Sequence, residues 1–424
     1  MKILICSFYF PPTGGGGVQR PLKFAQLLPD FGIETHVLAP SNAKWLHHEE
    51  PPPPLATRYL NRAPFIGPRG RLPAEELYGR RGGDRLLHKL WLTPRRFLLP
   101  DEDVTWLLTA LPVATRIVHR ERIDVLLTTS PPTSVHLIGA LAKRLTGVPW
   151  VADVRDSIVA NHDRRLERRA VRAKEQTHRS VARLVAKRAD AVVAVTDQIA
   201  AEMRAIERST PVEVIPNGAD FDDFTDLSYQ RRGEFRITHT GSFFGQRDPR
   251  PFLTALARLG PEVLARFVGD FRRSDLDWVR ANSLEHRLEL LPYSPRQRSL
   301  ELQRESDALL LLLPDVGQRG QDVPSGKLFE YLAARRPILA AVPPAGTAAQ
   351  LIREAKAGIV VAPDDVDGIQ YALEKLVDQW RSGELADVSL PPALIERISR
   401  RTRTRQLAEL LQSIKLQSAR PQGA

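Results

Sequence analysis

Ile3-Leu4-Ile5-Cys6-Ser7-Phe8, the loop Tyr9-Phe10-Pro11-Pro12-Thr13-Gly14-Gly15-Gly16-Gly17, the run from Val18 to Leu28, and Ile33 to Ala39 together decide the fold. The first piece is a short, mostly apolar run and reads as a buried strand. Prolines and four glycines mark the second piece as a loop. In the third, Leu22, Ala25 and Leu28 recur at helical spacing. The fourth is strand-like again. Strand, loop, helix and strand in so short a run imply a parallel, Rossmann-like sheet, because parallel strands need a crossover between them.

The same order recurs downstream. Asp124–Thr129 is followed by a helical run over Ser134–Leu145, then by the strand Pro149–Val154. Ala191–Thr196 is followed by a helical run over Gln198–Ile206. A second α/β series opens near Phe235 with the strand Arg236–His239 and the turn Gly241-Ser242-Phe243-Phe244-Gly245. It continues through Pro251–Leu259, Ala265–Val268, Leu288–Leu291, Arg296–Glu305, Ala308–Leu313, Pro337–Ala341, Ala348–Ala355, Ile359–Val361 and Val366–Trp380. A chain of 424 residues exceeds one ordinary core. The expectation is two domains, 1–215 and 216–390, joined through the turn Val214-Ile215-Pro216-Asn217-Gly218-Ala219-Asp220. A basic helical segment over 391–416 follows. Two stretches break the pattern. Asn42–Pro100, with Pro51–Pro54 inside it, reads as an irregular excursion. Asn161–Arg188, with Arg164, Arg165, Arg168, Arg172, Arg179, Arg183 and Arg188, reads as a strongly basic helix.

Hydrophobic residues make up 42% and charged residues 26%, the composition of a soluble globular protein. The net charge of +11 permits anionic partners and selects none by itself. The lone Cys6 makes no disulfide framework and reads as a small core residue in a reducing compartment. Met1-Lys2-Ile3-Leu4-Ile5 reads as a first strand rather than a signal peptide. No run reaches transmembrane length. The expected location is cytoplasmic.

Asp322-Val323-Pro324-Ser325-Gly326-Lys327-Leu328-Phe329-Glu330 carries the strongest chemistry. Two carboxylates stand eight positions apart around a Gly-Lys turn and the start of a helix. The start of a helix offers backbone N–H groups and the positive dipole end to an anion. A carboxylate one turn in accepts hydrogen bonds from sugar or ribose hydroxyls. The stretch therefore reads as a holder for a nucleotide sugar. A P-loop is excluded, since five residues separate Gly320 from Gly326 and Leu328 follows Lys327. A dinucleotide fingerprint fails at Gly14–Gly17, where Gln19 and Arg20 fill the slots for a third glycine.

Several motifs in order resemble the family-4-like, retaining glycosyltransferases of GT-B fold, in the subset that builds bacterial surface polysaccharides. They are Phe8-Tyr9-Phe10-Pro11-Pro12 with its glycines, Pro100-Asp101 with Trp106, Thr129-Ser130-Pro131-Pro132-Thr133-Ser134, Gly147 through Asp156, Ile215 through Asp220, Thr240-Gly241 through Pro249, and Asp322 through Glu330. The resemblance implies two Rossmann-like domains facing each other across a deep cleft, with segment 391–416 packing back towards the first. It implies a donor site on the second domain and an acceptor site on the first. It also implies retention of anomeric configuration, no metal and no cofactor beyond the nucleotide-sugar co-substrate. Glu330 would bind ribose hydroxyls and Asp322 the donor sugar. Ser325, Gly326, Lys327, Leu328, Gly241 and Arg247 would surround the diphosphate, with Gly15, Gly16 and Gly17 approaching it. Asp156 would orient or deprotonate the acceptor hydroxyl, with Ser130, Thr133, Asp153 and Arg155 on the acceptor side. Asp156, Arg247 and Glu330 form the expected catalytic set. Two departures stand out. Asp322 occupies the place of the usual Glu, and Ser242 the place of a first basic residue.

The expected acceptor is a glycan or a polyprenyl-diphosphate-linked precursor. The basic helix, and a separate apolar anchor of Trp91, Leu92, Phe97 and Leu98 beside Arg95 and Arg96, point to contact with an anionic membrane surface. A sugar-nucleotide epimerase of the same architecture is the first alternative. A nucleic-acid binder ranks last, because the basic helix carries no interleaved aromatic platform.

Overall fold

A computed structural model of the chain describes residues 1–41, 59–66, 98–159, 169–243, 246–315 and 325–418. Asp322, Pro51–Pro54, Trp91, Leu92, Phe97, Arg164, Arg165, Arg168, Phe244 and Gly245 lie outside the described residues. The chain divides into two compact units, one of residues 1–216 with the chain from Arg403 on, the other Asn217–Thr402.

The first unit is built on β1 (Lys2–Ser7), β2 (Glu34–Pro40), β3 (Leu60–Ala63), β4 (Val125–Thr129), β5 (Trp150–Val154), β6 (Ala191–Ala194) and β7 (Val212–Val214). They form one parallel sheet in the order β3-β2-β1-β4-β5-β6-β7. Ile3 lies opposite Thr35 on one side and Val125 on the other. Ile3, Leu4, Ile5 and Cys6 are fully buried. A central parallel strand is covered on both faces, so it reads as a continuous apolar run rather than an alternation. The helix Gln19–Leu27 follows the glycine loop and buries Leu22, Phe24 and Ala25. The helix Arg169–Arg188 turns Val181, Ala182, Val185 and Ala186 inward and leaves Arg172, Arg179, Arg183, Lys187 and Arg188 exposed. Leu407, Ala408, Leu411 and Ile414 of the last helix pack into this core, and Lys415 reaches Asp124 at 3.1 Å.

Three expectations need correction. The stretch read as an irregular excursion contains β3, an edge strand paired to Val37–Pro40. Its half-buried Leu60-Asn61-Arg62 leaves no alternation to read. The helix Leu107–Glu121 is an addition to the expected elements, hidden because Pro112 interrupts its pattern. The segment 391–416, read as one helix, splits into Pro392–Ile398 and Arg400–Ser418. Ser399 between them is extended and bridges to Ala219.

The second unit holds β8 (Phe235–Thr240), β9 (Val263–Val268), β10 (Leu288–Leu291), β11 (Ala308–Leu312), β12 (Ile338–Ala341) and β13 (Gly358–Val361). Their order, β10-β9-β8-β11-β12-β13, winds the same way as the first sheet, with every pair parallel. β11 shows how one strand serves two faces. Leu309 and Leu311 enter the core under the helix Gly326–Ala334. Ala308, Leu310 and Leu312 enter the opposite core, with Phe252, Leu373 and Trp380. The winding reverses between β8 and β11, as it does between β1 and β4. Loops leaving such neighbouring strands diverge and open a crevice at the carboxyl ends of the strands. No described helix is long and apolar enough to cross a membrane.

Candidate functional site

In the second unit, β8 ends in His239-Thr240 and turns at Gly241, whose φ is +107°. The helix Gly326–Ala334 starts over the same point. Its Lys327, Glu330 and Tyr331 stand at i, i+3 and i+4 and so share one face. Tyr331 anchors the helix to the strand, its buried hydroxyl accepting from the Thr240 N–H at 2.9 Å. Burial pushes the phenol up to about 12.

Lys327 Nζ lies 3.2 Å from His239 Nε2. His239 Nδ1 lies 2.9 Å from the Leu310 carbonyl. A carbonyl only accepts, so Nδ1 carries the proton and Nε2 presents a lone pair to Lys327. The imidazole stacks on Phe243, with centroids 4.9 Å apart. Burial first, then the neighbouring Lys327 charge, hold His239 well below its ordinary value. Burial first, then Arg247, pull Lys327 down to about 7, with Glu330 opposing.

Gly241 suits both its left-handed φ and the close approach of Lys327. A Cβ there would lie 2.5 Å from Lys327 Cε and 2.6 Å from Nζ. Gly269, ending β9 at φ +131°, is equally constrained, since its Cβ would meet the Gly241 carbonyl carbon at 2.8 Å. Ser242 forms a reciprocal pair with Asp270, giving a hydrogen bond to its carboxylate and taking one from its N–H, each at 3.0 Å. Arg247 is half-buried, and its carbonyl accepts from Arg272 at 2.8 Å. Arg250 leans on Asp275 at 3.4 Å.

Glu330 is paired with Arg296, which also holds Asp223 at 2.7 Å. Burial opposes the charge on Arg296, yet Glu330 and Asp223 hold it above its ordinary value. Ser325 is the N-cap and makes no side-chain cap. Leu328 corrects an expectation. Its side chain is fully buried in the core and its N–H bonds the Ser325 carbonyl at 2.9 Å, so it supports the helix rather than facing a ligand. The cluster brings an amine, a guanidinium and a helix start around Gly241, with a carboxylate one turn along. Such a set can hold a diphosphate and the hydroxyls attached to it.

In the first unit, the loops after β1, β4 and β5 carry the acceptor-side candidates. Asp153 turns inward and is 1% exposed. It accepts from Arg20 Nη2 at 2.9 Å, Arg20 Nε at 3.1 Å and the Thr129 hydroxyl at 2.7 Å. Burial alone would raise its pKa, but Arg20, Arg155 and Thr129 prevail and lower it. Arg155 donates to the Gly17 carbonyl at 2.6 Å and to the Ser130 carbonyl. Arg155 therefore braces the glycine loop, and Asp153 braces Arg20 on the helix that follows it. Ser130 is buried beside them, and Thr133 is half-buried. Asp156 keeps an exposed side chain. Gly15 takes φ +100°, and a Cβ on either Gly15 or Gly16 would meet no atom within 4 Å, which leaves the loop surface open. His136 is a core residue, bonded to Thr128 at 2.9 Å and lowered by burial to about 4.

The sequence reading missed His239, Arg296, Asp223 and Arg20. His239 sat inside a strand run, and the others lie far along the chain from the groups they meet. Among the described residues, no group of three His, Cys, Asp or Glu could hold a metal ion.

Two Rossmann-like sheets wound alike define the class: the chain has the GT-B fold. Residues 15–218 match the profile of the glycosyl transferase 4-like domain. HepE of Anabaena, solved in complex with UDP-glucose, is similar at TM-score 0.64 and 17% identity, covering 97% of this chain and 100% of that one. The lipopolysaccharide outer core galactosyltransferase WaaB, in its apo form, is similar at TM-score 0.57 and 14% identity, covering 97% and 99%. A structure assigned as a UDP-N-acetylglucosamine 2-epimerase from Listeria monocytogenes is similar at TM-score 0.53 and 12% identity, covering 100% and 99%. At these identities the likeness is one of fold. No curated protein matches the sequence.

Proposed function

We propose that this protein is a retaining glycosyltransferase that moves a hexose or N-acetylhexosamine-type sugar from a nucleoside diphosphate to a surface glycan or its lipid-linked precursor. The observation that carries this is the cluster of Lys327, Arg247, Gly241 and Glu330 at the switch point between β8 and β11. Cations and a helix start suit the diphosphate, and Glu330 suits the ribose hydroxyls. The fold shared with HepE, a protein solved with UDP and UDP-glucose, supports a sugar nucleotide as ligand. That shared with WaaB supports a surface-glycan role.

In this reading the bond from the anomeric carbon to the diphosphate oxygen breaks, and an acceptor oxygen bonds to the same face. Charge builds on the leaving diphosphate, where Lys327 and Arg247 stabilise it. The acceptor proton passes to a phosphate oxygen or to Asp156. Asp322 would contact the donor sugar. The exposed basic face of Arg169–Arg188 suits an anionic bilayer carrying the acceptor, each basic side chain near the surface adding about 1 kcal/mol. A cytoplasmic, peripheral location follows.

The test is a pair of incubations with a panel of sugar nucleotides, one with membrane lipid extract and one without. A glycosyltransferase releases nucleoside diphosphate and labels lipid in the first. An epimerase isomerises the sugar in both and labels nothing, which would replace this reading with the alternative that the epimerase-like fold leaves open.

A further inference from the structure

His239 has no part in the roles above, yet it is the best-fixed group in the cluster. It is fully buried, with Nδ1 facing the Leu310 carbonyl at 2.9 Å and Nε2 facing Lys327 at 3.2 Å. Apolar rings surround it, Phe243 at 4.9 Å and Phe267 at 6.1 Å. A carboxylate in its place would cancel the charge of Lys327 and repel a diphosphate. A neutral imidazole accepts from the amine and adds no negative charge. The charged groups facing the pair come from three elements. Arg247 follows β8, Glu330 shares the helix of Lys327, and Arg296 holds Glu330 together with Asp223. The Tyr331 hydroxyl is bound to Thr240. The carboxylate next to Lys327 is thus already shared with an arginine, and the nearest other charge is a cation.

We propose that His239 is the positioning residue of the diphosphate site, its Nε2 holding Lys327 over Gly241, and that Lys327 takes up a proton from solvent when a sugar nucleotide binds. This rests on the donor reading of the site. The free amine, drawn down to about 7, is about nine-tenths neutral one pH unit higher. Two phosphate charges brought beside it favour the ammonium form and draw the proton in. His239 stays neutral throughout, because two adjacent cations in a buried pair repel.

Isothermal titration tests this with UDP-glucose, GDP-mannose and ADP-glucose, whose diphosphates carry no group titrating near neutral pH. Each is run in two phosphate-free buffers of different ionisation enthalpy, HEPES and Tris on the alkaline side and MES and Bis-Tris on the acid side. At about pH 8 the wild type should take up most of a proton, and at about pH 6 very little. His239→Phe keeps the ring stack but loses the acceptor. It should bind about ten-fold more weakly, with its alkaline loss of affinity moved to lower pH. His239→Gln, which restores an acceptor, should recover most of both. A merely structural histidine would change the melting temperature and leave the proton count and pH profile alone. Binding without proton exchange at both pH values overturns the proposal, as does a wild-type profile in His239→Phe. The wild-type proton count needs no variant and stands even where His239→Phe fails to fold. Failure of the wild type to bind any of the three, or UDP, GDP or ADP, removes the donor reading itself.

Discussion

Arg20 and Asp153 are 3% and 1% exposed, and neither would be stable there alone. Together they satisfy each other, with Thr129 completing the carboxylate and Phe24 stacking under the guanidinium. Removing one partner leaves a bare buried charge. Arg20→Met should therefore destabilise the first unit by about 3–5 kcal/mol, seen as a lower midpoint in urea. The pH dependence has a definite sign. The folded carboxyl lies below its unfolded value, so its contribution is complete above the unfolded pKa and is lost as pH falls through the folded one. Asp153→Asn should flatten the acid side of the stability profile. At the candidate donor cluster, Lys327→Ala should weaken sugar-nucleotide binding by about ten-fold or more while the fold survives, since Tyr331 still ties the helix to Thr240. Lys327, Glu330 and Gly241 were legible because they belong to a motif. His239, Arg296 and Arg20 were not. They meet partners 88, 34 and 133 positions away, and no local pattern encodes such a meeting.

The helix Gly326–Ala334 is held by a grip on the end of β8. Tyr331 binds Thr240, and Lys327 binds His239 one turn earlier. Gly241 gives the amine its space. Gly241→Ala would add backbone strain at φ +107° and drive a Cβ into the Lys327 amine. The flexible end of a lysine can move, so binding should fall further than stability, which titration and melting of the same variant will separate. Gly139 makes the opposite case. Alanine in a helix interior is ordinarily favoured by about 1 kcal/mol. Here a Cβ would lie 2.2 Å from Trp150 Nε1, against a buried, rigid indole. Gly139→Ala should destabilise instead, by about 1–3 kcal/mol in chemical denaturation. Central elements such as β1, β4 and β11 were readable because burial on both faces gives each an unbroken apolar run of three residues or more. β3 and the helix Leu107–Glu121 were not, because an edge strand and a proline in a helix interior obey other constraints.

The repeated winding of two sheets gives the chain two switch points, and the candidate donor cluster lies at the second. The order of strands was implied by β–α–β succession, so the fold class could be read early. What each switch point does could not, because the first sheet fills its own with the Arg20–Asp153–Arg155 struts while the second sets Lys327 against His239. The net charge of +11 and the exposed face of Arg169–Arg188 give a further expectation. Vesicles containing anionic lipid should retain the protein in flotation, and added salt should release it. Replacing Arg179, Arg183 and Lys187 together by glutamine should abolish retention without changing nucleotide binding. The central claim concerns the second sheet, and calorimetric titration of UDP-glucose, GDP-mannose and ADP-glucose into wild type, Lys327→Ala and Glu330→Ala tests it most directly. The account predicts that one sugar nucleotide binds the wild type and that both folded variants lose most of that affinity. Equal affinity in all three proteins would contradict it.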